Sequence, residues 1–294
     1  VPFFRCDYCK IVEGVEGEVM ATNKEFVANK GIVFVLDDTY ADPGRLAIRD
    51  VWTYSGSKYP IFIMHGANLS EKSKEKILED FKHIGAPDNV IRFIDVSHKG
   101  DMFAGLNVTH AGEISYAKLL MGDLFWLPEK ISTAYYFDVD ILVVRDLSDL
   151  FEIVPKKALA AVDHLSNEDH VRLLGTDGIY HNTGVLVANL NRWATINALE
   201  KFQRAIQDHR RDIVHVDQDV FAIAFDDEFE ELPIEYNFVN SGRFNPFFKK
   251  AEATDWEPAE ISPAIVHFIG PEKPWHSGSW QFSSKQWRSR RKAL

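Results

Sequence analysis

The sequence predicts an α/β fold with a Rossmann-like, mostly parallel central sheet, on three observations. Short apolar runs alternate with amphipathic segments through the N-terminal half of the chain, and several of those runs end in acids. The longest, residues 134–144, is rich in aromatic and β-branched residues, the composition of a strand buried on both faces. A chain of 294 residues with 46% hydrophobic content can bury a large core, and we expect one domain over residues 1–294.

The elements follow in order. Residues 31–38 read as a strand ending in Asp37 and Asp38, and residues 41–54 as a helix spaced through Leu46, Ile48, Val51 and Trp52. Residues 60–64 form a second strand, residues 70–83 a helix opened by a Ser70 cap, and residues 90–96 a third strand. This β-α-β-α-β order implies parallel strands with right-handed crossovers, whose ligands bind outside the carboxyl ends. Residues 113–127 look helical and deliver Lys118 near the next strand. After the 134–144 run come strands at 158–163 and 184–189 and an amphipathic helix at 190–209. Residues 241–258 have no steady period and read as a loop or short-helix insert over the site.

Composition excludes some partners. A net charge of -11 argues against nucleic acid, whose binding rests on neutralising phosphates. No apolar stretch approaches the roughly 18–20 residues of a membrane span, and no secretory signal order opens the chain, so a cytoplasmic protein is expected. Cys6 and Cys9, a single Cys-x-x-Cys pair, are too few for a zinc site and read as a reduced pair or a terminal disulfide.

Asp138 and Asp140 interrupt the 134–144 run. Ionised carboxylates at the end of a buried strand need partners, and a hard divalent cation that can bridge to phosphates is the simplest one. The spacing alone is cheap, since Asp217-Gln218-Asp219 repeats it. The stretch His267-Phe268-Ile269-Gly270-Pro271-Glu272-Lys273-Pro274-Trp275 adds a third candidate metal ligand, a glycine that lets backbone approach a phosphate, and a cation.

Together with the run from Asn182 through Gly184 to Asn189, these motifs give the chain a resemblance to glycosyltransferase family 8 over about residues 32–276. That group includes glycogenin and bacterial lipopolysaccharide galactosyl- and glucosyltransferases. The resemblance implies a GT-A fold and transfer of a hexose, glucose or galactose, from a UDP-sugar with retention of configuration. It implies Mn²⁺, with Mg²⁺ as a substitute, and a saccharide or lipopolysaccharide-type acceptor. Residues 31–145 would form the nucleotide-binding half and residues 146–276 the donor-sugar and acceptor half.

Carried over by position, Asp138, Asp140 and His267 would hold the metal, and Gly270 and Lys273 the diphosphate. Val35, Leu36, Asp37 and Tyr40 would hold uracil and ribose, with Lys118 and Val139 completing the donor site. Asp163, Asn182, Gly184, Asp217 and Gln218 would contact the donor sugar, and Gln218, Asp163 and Asp217 are the catalytic candidates. An amide is a poor nucleophile, which favours front-face attack over a covalent intermediate. Read as residues alone, Tyr40 also suits packing, Asp163 a helix cap, Asn182 a turn and Asp219 a helix N-terminal acid. Three positions depart from the family pattern: Lys118 for the common Arg, Ala222 for Asn, and His181 for an aromatic.

The tail at 277–294 carries five basic residues among aromatics and suits peripheral contact with anionic lipid on the inner membrane face. A self-glycosylating primer and a non-catalytic sugar-nucleotide-binding module are the alternative functions.

Overall fold

The structure, a computed structural model, describes residues 26, 29–99, 113–163, 174–176, 179–239, 262–279, 281 and 283–294. Strand β1 (Lys30–Leu36) is buried beyond its first residue because nothing polar follows Lys30. Helix α1 (Asp38–Tyr54) starts at once, with the Asp37 carboxylate accepting the Tyr40 amide at 3.1 Å. Strand β2 (Ile61–His65), helix α2 (Glu71–His83) and strand β3 (Ile91–Asp95) follow. Ser70 caps α2 through the Ser73 amide at 3.3 Å, as its sequence predicts.

Strands β4 (Thr133–Phe137), β6 (Leu159–Asp163), β7 (His181–Asn189) and β8 (Phe229–Glu231) complete a seven-stranded sheet in the order β3-β2-β1-β4-β7-β6-β8. All neighbours are parallel except β7, which runs against both β4 and β6. The α/β expectation is met. A second sheet joins β5 (Ile141–Val143), β10 (Ile265–His267) and β9 (Phe238–Val239) in the order β5-β10-β9.

The seven-stranded sheet is packed on both faces, the three-layer solution for a mostly parallel sheet. One core takes Ile48, Val51, Trp52, Ile77 and Phe81 of α1 and α2. The other takes Tyr116 and Leu120 with residues of helices α3 (Leu190–Thr195), α4 (Ala198–His209) and α5 (Asp217–Ala224). Trp193, Phe202, Phe221 and Phe225 form an edge-packed group there, each such pair worth roughly 0.5–1.5 kcal/mol beyond area burial.

Two expectations change, one is refined and one alternative falls away. The 134–144 run is two strands, because the chain leaves the large sheet after Phe137 and enters the small one at Ile141. The Asp138 amide still donates to Gly184 O at 2.7 Å, while Asp140 O accepts from the Phe268 amide at 2.9 Å. Residues Glu113–Trp126 form a 3-10 helix rather than an α-helix. The 190–209 helix breaks in two where Asn197 takes φ 53°. Asn182 lies inside β7, not in a turn before it. Cys6, Cys9 and the 241–258 insert lie outside the described residues.

Helix α6 (Ser284–Arg291) folds back on the body. Trp287 is buried against Trp275, Arg288 donates to Pro274 O at 2.8 Å, Arg291 pairs with Asp42, and Arg290 with Asp50. The basic side chains of the tail left exposed are Lys285 and Lys292. Among the described residues no helix is long and apolar enough to cross a membrane.

Candidate active site

The carboxyl ends of β1 and β4 and the amino end of β7 share one edge of the large sheet, since β7 alone is reversed. The small sheet closes over that edge. Its strands set Asp140 just before β5, His267 at the end of β10 and Asn237 just before β9, with His267 in register with Ile141 and Val239. Three segments remote in sequence therefore converge.

Asp138, Asp140 and His267 each offer a ligand atom within 4.8 Å of the others. His267 Nε2 lies 3.3 Å from Asp140 Oδ1 and 3.7 Å from Asp138 Oδ2. The second oxygen of each acid is already engaged. Asp138 Oδ1 accepts the Tyr136 hydroxyl at 2.5 Å and Lys118 Nζ at 3.2 Å; Asp140 Oδ2 pairs with Lys273. Each carboxylate thus turns one oxygen towards His267. Burial pushes the Asp140 carboxyl up, but Lys273 and His267 beside it more than reverse this and hold it well below the usual carboxylate range. Two carboxylate oxygens and an imidazole nitrogen are a donor set that suits a divalent cation.

Lys118 is 3% exposed and meets three acceptors: Asp138, Asp217 Oδ2 at 3.0 Å and Thr183 O at 3.3 Å. Three acceptors match the three protons of an ammonium, so the charge is used within the protein. Burial lowers its pKa while the two carboxylates more than compensate, leaving it raised and Lys118 charged. Asp217 also accepts the Thr183 hydroxyl at 2.7 Å, and burial raises its pKa against the pull of Lys118. The preceding residue, Val216, takes φ 53° and ψ -122°. A β-branched residue at positive φ costs on the order of 1–3 kcal/mol, strain of the kind that gathers at functional sites.

Asn182 Oδ1 accepts the Gly184 amide at 2.9 Å and Asn237 Nδ2 at 2.7 Å, and its Nδ2 donates to Gln218 Oε1 at 3.4 Å. Gly184 has to be glycine, because a Cβ there would sit 2.1 Å from His267 Cε1. Gly270 takes φ 82°, a conformation glycine adopts freely. Asn237 was missed by sequence reasoning; a lone Asn before a two-residue strand carries no signal. Tyr136 and Thr183 were missed because they sit in apolar strand patterns.

The other candidates surround this centre. Tyr40 meets Trp275 edge to face at 6.0 Å, Asp37 is committed to capping α1, and Leu36 has its side chain in the core. Val35 is 9% and Val139 8% exposed, Val139 lying under α1 beside Gly44. Asp163 is in register with His181, the neighbour of Asn182, while the segment that would test its capping role lies outside the described residues. His181 stacks on Phe229 at 4.3 Å, so an imidazole fills the aromatic position. Ala222 is buried with Leu174 and Tyr180.

Known proteins share this arrangement of chain. The solved galactosyltransferase LgtC, in complex with donor and acceptor sugar analogs, superposes with a TM-score of 0.75 over 90% of this chain and 96% of its own, at 23% identity. This is the GT-A fold. General stress protein A of Bacillus subtilis (strain 168) is 26% identical over 229 residues, 74% of this chain and 77% of its own length. Lipopolysaccharide 1,2-glucosyltransferase of Escherichia coli is 26% identical over 182 residues, but the match covers only 53% of that protein. The sequence pattern of Glycosyl transferase family 8 matches residues 31–279, from β1 to beyond Lys273, and to that family the chain belongs.

Proposed function

We propose that the chain is a retaining hexosyltransferase that moves glucose or galactose from a UDP-sugar to a saccharide or lipopolysaccharide-type acceptor, with Mn²⁺ at Asp138, Asp140 and His267. The convergence of these three groups carries the reading, because two carboxylate oxygens and an imidazole nitrogen within 4.8 Å of one another can hold one cation together. When bound, the metal supplies positive charge that offsets the negative charge gathering on the departing UDP.

The protein's own residues do the rest. Tyr136 and Lys118 hold one oxygen of Asp138, which leaves the other for the metal. Lys273 neutralises Asp140, and with a metal beside Asp140 its charge would be left for the donor diphosphate. Gly270 lets the backbone lie close to the same phosphates. Tyr40, backed by Trp275, offers its ring to the uracil, and Val35, Leu36 and Asp37 border the base and ribose. Lys118 acts on the donor through Asp138 and Asp217 rather than by touching it.

Asp163, Asn182 and Asp217 provide acceptors and donors for sugar hydroxyls. Gln218 lies beside the anomeric carbon and orients the sugar. The acceptor hydroxyl attacks on the face the phosphate leaves, forming the new C–O bond as the C–O bond to phosphate breaks, and its proton passes to the leaving phosphate oxygen. A cytoplasmic site fits transfer from a UDP-sugar, and exposed Lys285 and Lys292 allow contact with anionic headgroups.

The test is UDP release from a panel of UDP-sugars without acceptor, with and without Mn²⁺. Metal-dependent release from UDP-glucose or UDP-galactose is expected. No release and no Mn²⁺-dependent UDP binding would sink the proposal.

A further inference from the structure

Asn237 is 1% exposed, and both ends of its amide are engaged. Its Oδ1 lies 2.9 Å from His267 Nδ1, and its Nδ2 lies 2.7 Å from Asn182 Oδ1. The direction of every bond in this array follows from one end. The Gly184 amide can only donate, and it meets Asn182 Oδ1 at 2.9 Å. Asn182 therefore presents its oxygen on that side, and the second group on that oxygen is best a donor, the NH₂ of Asn237. The oxygen of Asn237 is then left for His267. An amide oxygen only accepts, so Nδ1 carries the hydrogen. With Nδ1 taken by Asn237, Nε2 is the ring nitrogen left to face Asp138 and Asp140.

We propose that Asn237 is a positioning residue that holds His267 in the Nδ1–H tautomer, relaying the polarity of the Gly184 amide through Asn182. Its use for metal binding rests on the metal reading given above. The opposite tautomer would point an N–H at the spot a cation must take. Turning the Asn237 amide over would set two oxygens against each other at Asn182 and an NH₂ against the protonated Nδ1, both in a buried place. The array also runs the other way: Asn182 Nδ2 donates to Gln218 Oε1, Gln218 hydrogen-bonds Tyr180, and the Tyr180 hydroxyl donates to Asp219. One array thus orients both a metal ligand and the amide beside the sugar.

The experiment reads the ¹⁵N shifts of the His267 ring in metal-free protein, then Mn²⁺ affinity with UDP present by titration calorimetry, in wild type, Asn237→Ala and Asn237→Asp. Wild type should carry the hydrogen on Nδ1. Asn237→Ala should lose that preference and bind Mn²⁺ roughly 10- to 100-fold more weakly, the usual penalty for removing a partner behind a metal-bound His. Asn237→Asp, which keeps the acceptor for Nδ1 while setting a second oxygen against Asn182 Oδ1, should restore the hydrogen on Nδ1 at a cost in stability. A wild-type ring with no hydrogen on Nδ1 would overturn the proposal, as would an Asn237→Ala protein that keeps the wild-type Nδ1 hydrogen and affinity. Should Asn237→Ala fail to fold, the wild-type spectrum and Asn237→Asp still decide it. A wild type with the expected tautomer but no Mn²⁺ binding would instead overturn the metal reading and leave the relay standing.

Discussion

Two Asp-x-Asp motifs in this chain have the same spacing and opposite uses. Asp138 and Asp140 lie between strands and both turn an oxygen to His267. Asp217 and Asp219 open helix α5 and part company. Asp217 goes to Lys118 and Thr183, whereas Asp219, wholly buried, accepts the Val214 amide at 2.6 Å, the His215 amide at 2.8 Å and the Tyr180 hydroxyl. The chain bends through Val139 and Asp140 between the two sheets and so can turn both acids to one side; on a helix of 3.6 residues per turn, residues two apart lie about 200° apart. The backbone, not the spacing, decides whether two acids can share a cation.

The largest effect expected from breaking this contrast is on Asp140. Asp140→Asn should cut Mn²⁺-dependent UDP release about 10³-fold, roughly 4 kcal/mol, the scale of charge stabilisation by a bound metal. It should also abolish the thermal stabilisation that Mn²⁺ with UDP gives wild type, about 2.7 kcal/mol at a hundredfold excess over Kd. A variant that keeps both would mean that the three groups converge for some purpose other than metal binding.

The middle residues differ as much as the acids. Gln218 is half-buried and bonded to Asn182 and Tyr180, so Gln218→Ala should cost about 0.5–1.5 kcal/mol of stability while lowering turnover about 10²-fold, as expected when one well-placed polar group is removed. Unfolding curves and kcat from the same preparation check it. Near-normal turnover would remove Gln218 from the chemistry.

The same contrast marks what could be read from sequence. Strands β1 to β3 and helices α1 and α2 were legible because period and caps are local signals: Ser70 does cap α2, and Asp37 does end β1. The break between Phe137 and Ile141 was not, because apolar residues continue to Val144 and nothing local says that they change sheets. Residues Glu113–Trp126 were seen as helical but not as 3-10, since periods of 3.0 and 3.6 differ little over a short stretch. His267 was found through motif resemblance. Its partner Asn237, 30 residues away, is specified only by the pairing of β9 with β10, which no local pattern encodes.

Asp219 should matter for folding and not for the metal. Asp219→Asn replaces one of two accepting oxygens with a donor, which leaves either the Tyr180 hydroxyl or the amides of Val214 and His215 unmatched. A loss of about 1–3 kcal/mol by urea unfolding is expected, with Mn²⁺ affinity unchanged. An affinity that falls as far as in Asp140→Asn would erase the distinction between the motifs.

Val139, between the two metal-side acids, gives the smallest expected effect. Its side chain packs beneath α1 beside Gly44, so Val139→Ala should cost about 1–2 kcal/mol for two lost methyl carbons and the space they leave. Mn²⁺ affinity should fall by less than about tenfold, below the usual cost of losing a hydrogen-bonded partner behind a ligand. The reason is that each acid is placed by bonds that do not involve Val139. The Asp138 amide and carboxylate are tied to Gly184, Tyr136 and Lys118, and Asp140 to the Phe268 amide and Lys273. Calorimetric affinity and urea unfolding of the same variant separate the two accounts: a large affinity loss would show that core packing under α1, rather than this hydrogen bonding, aims the carboxylates.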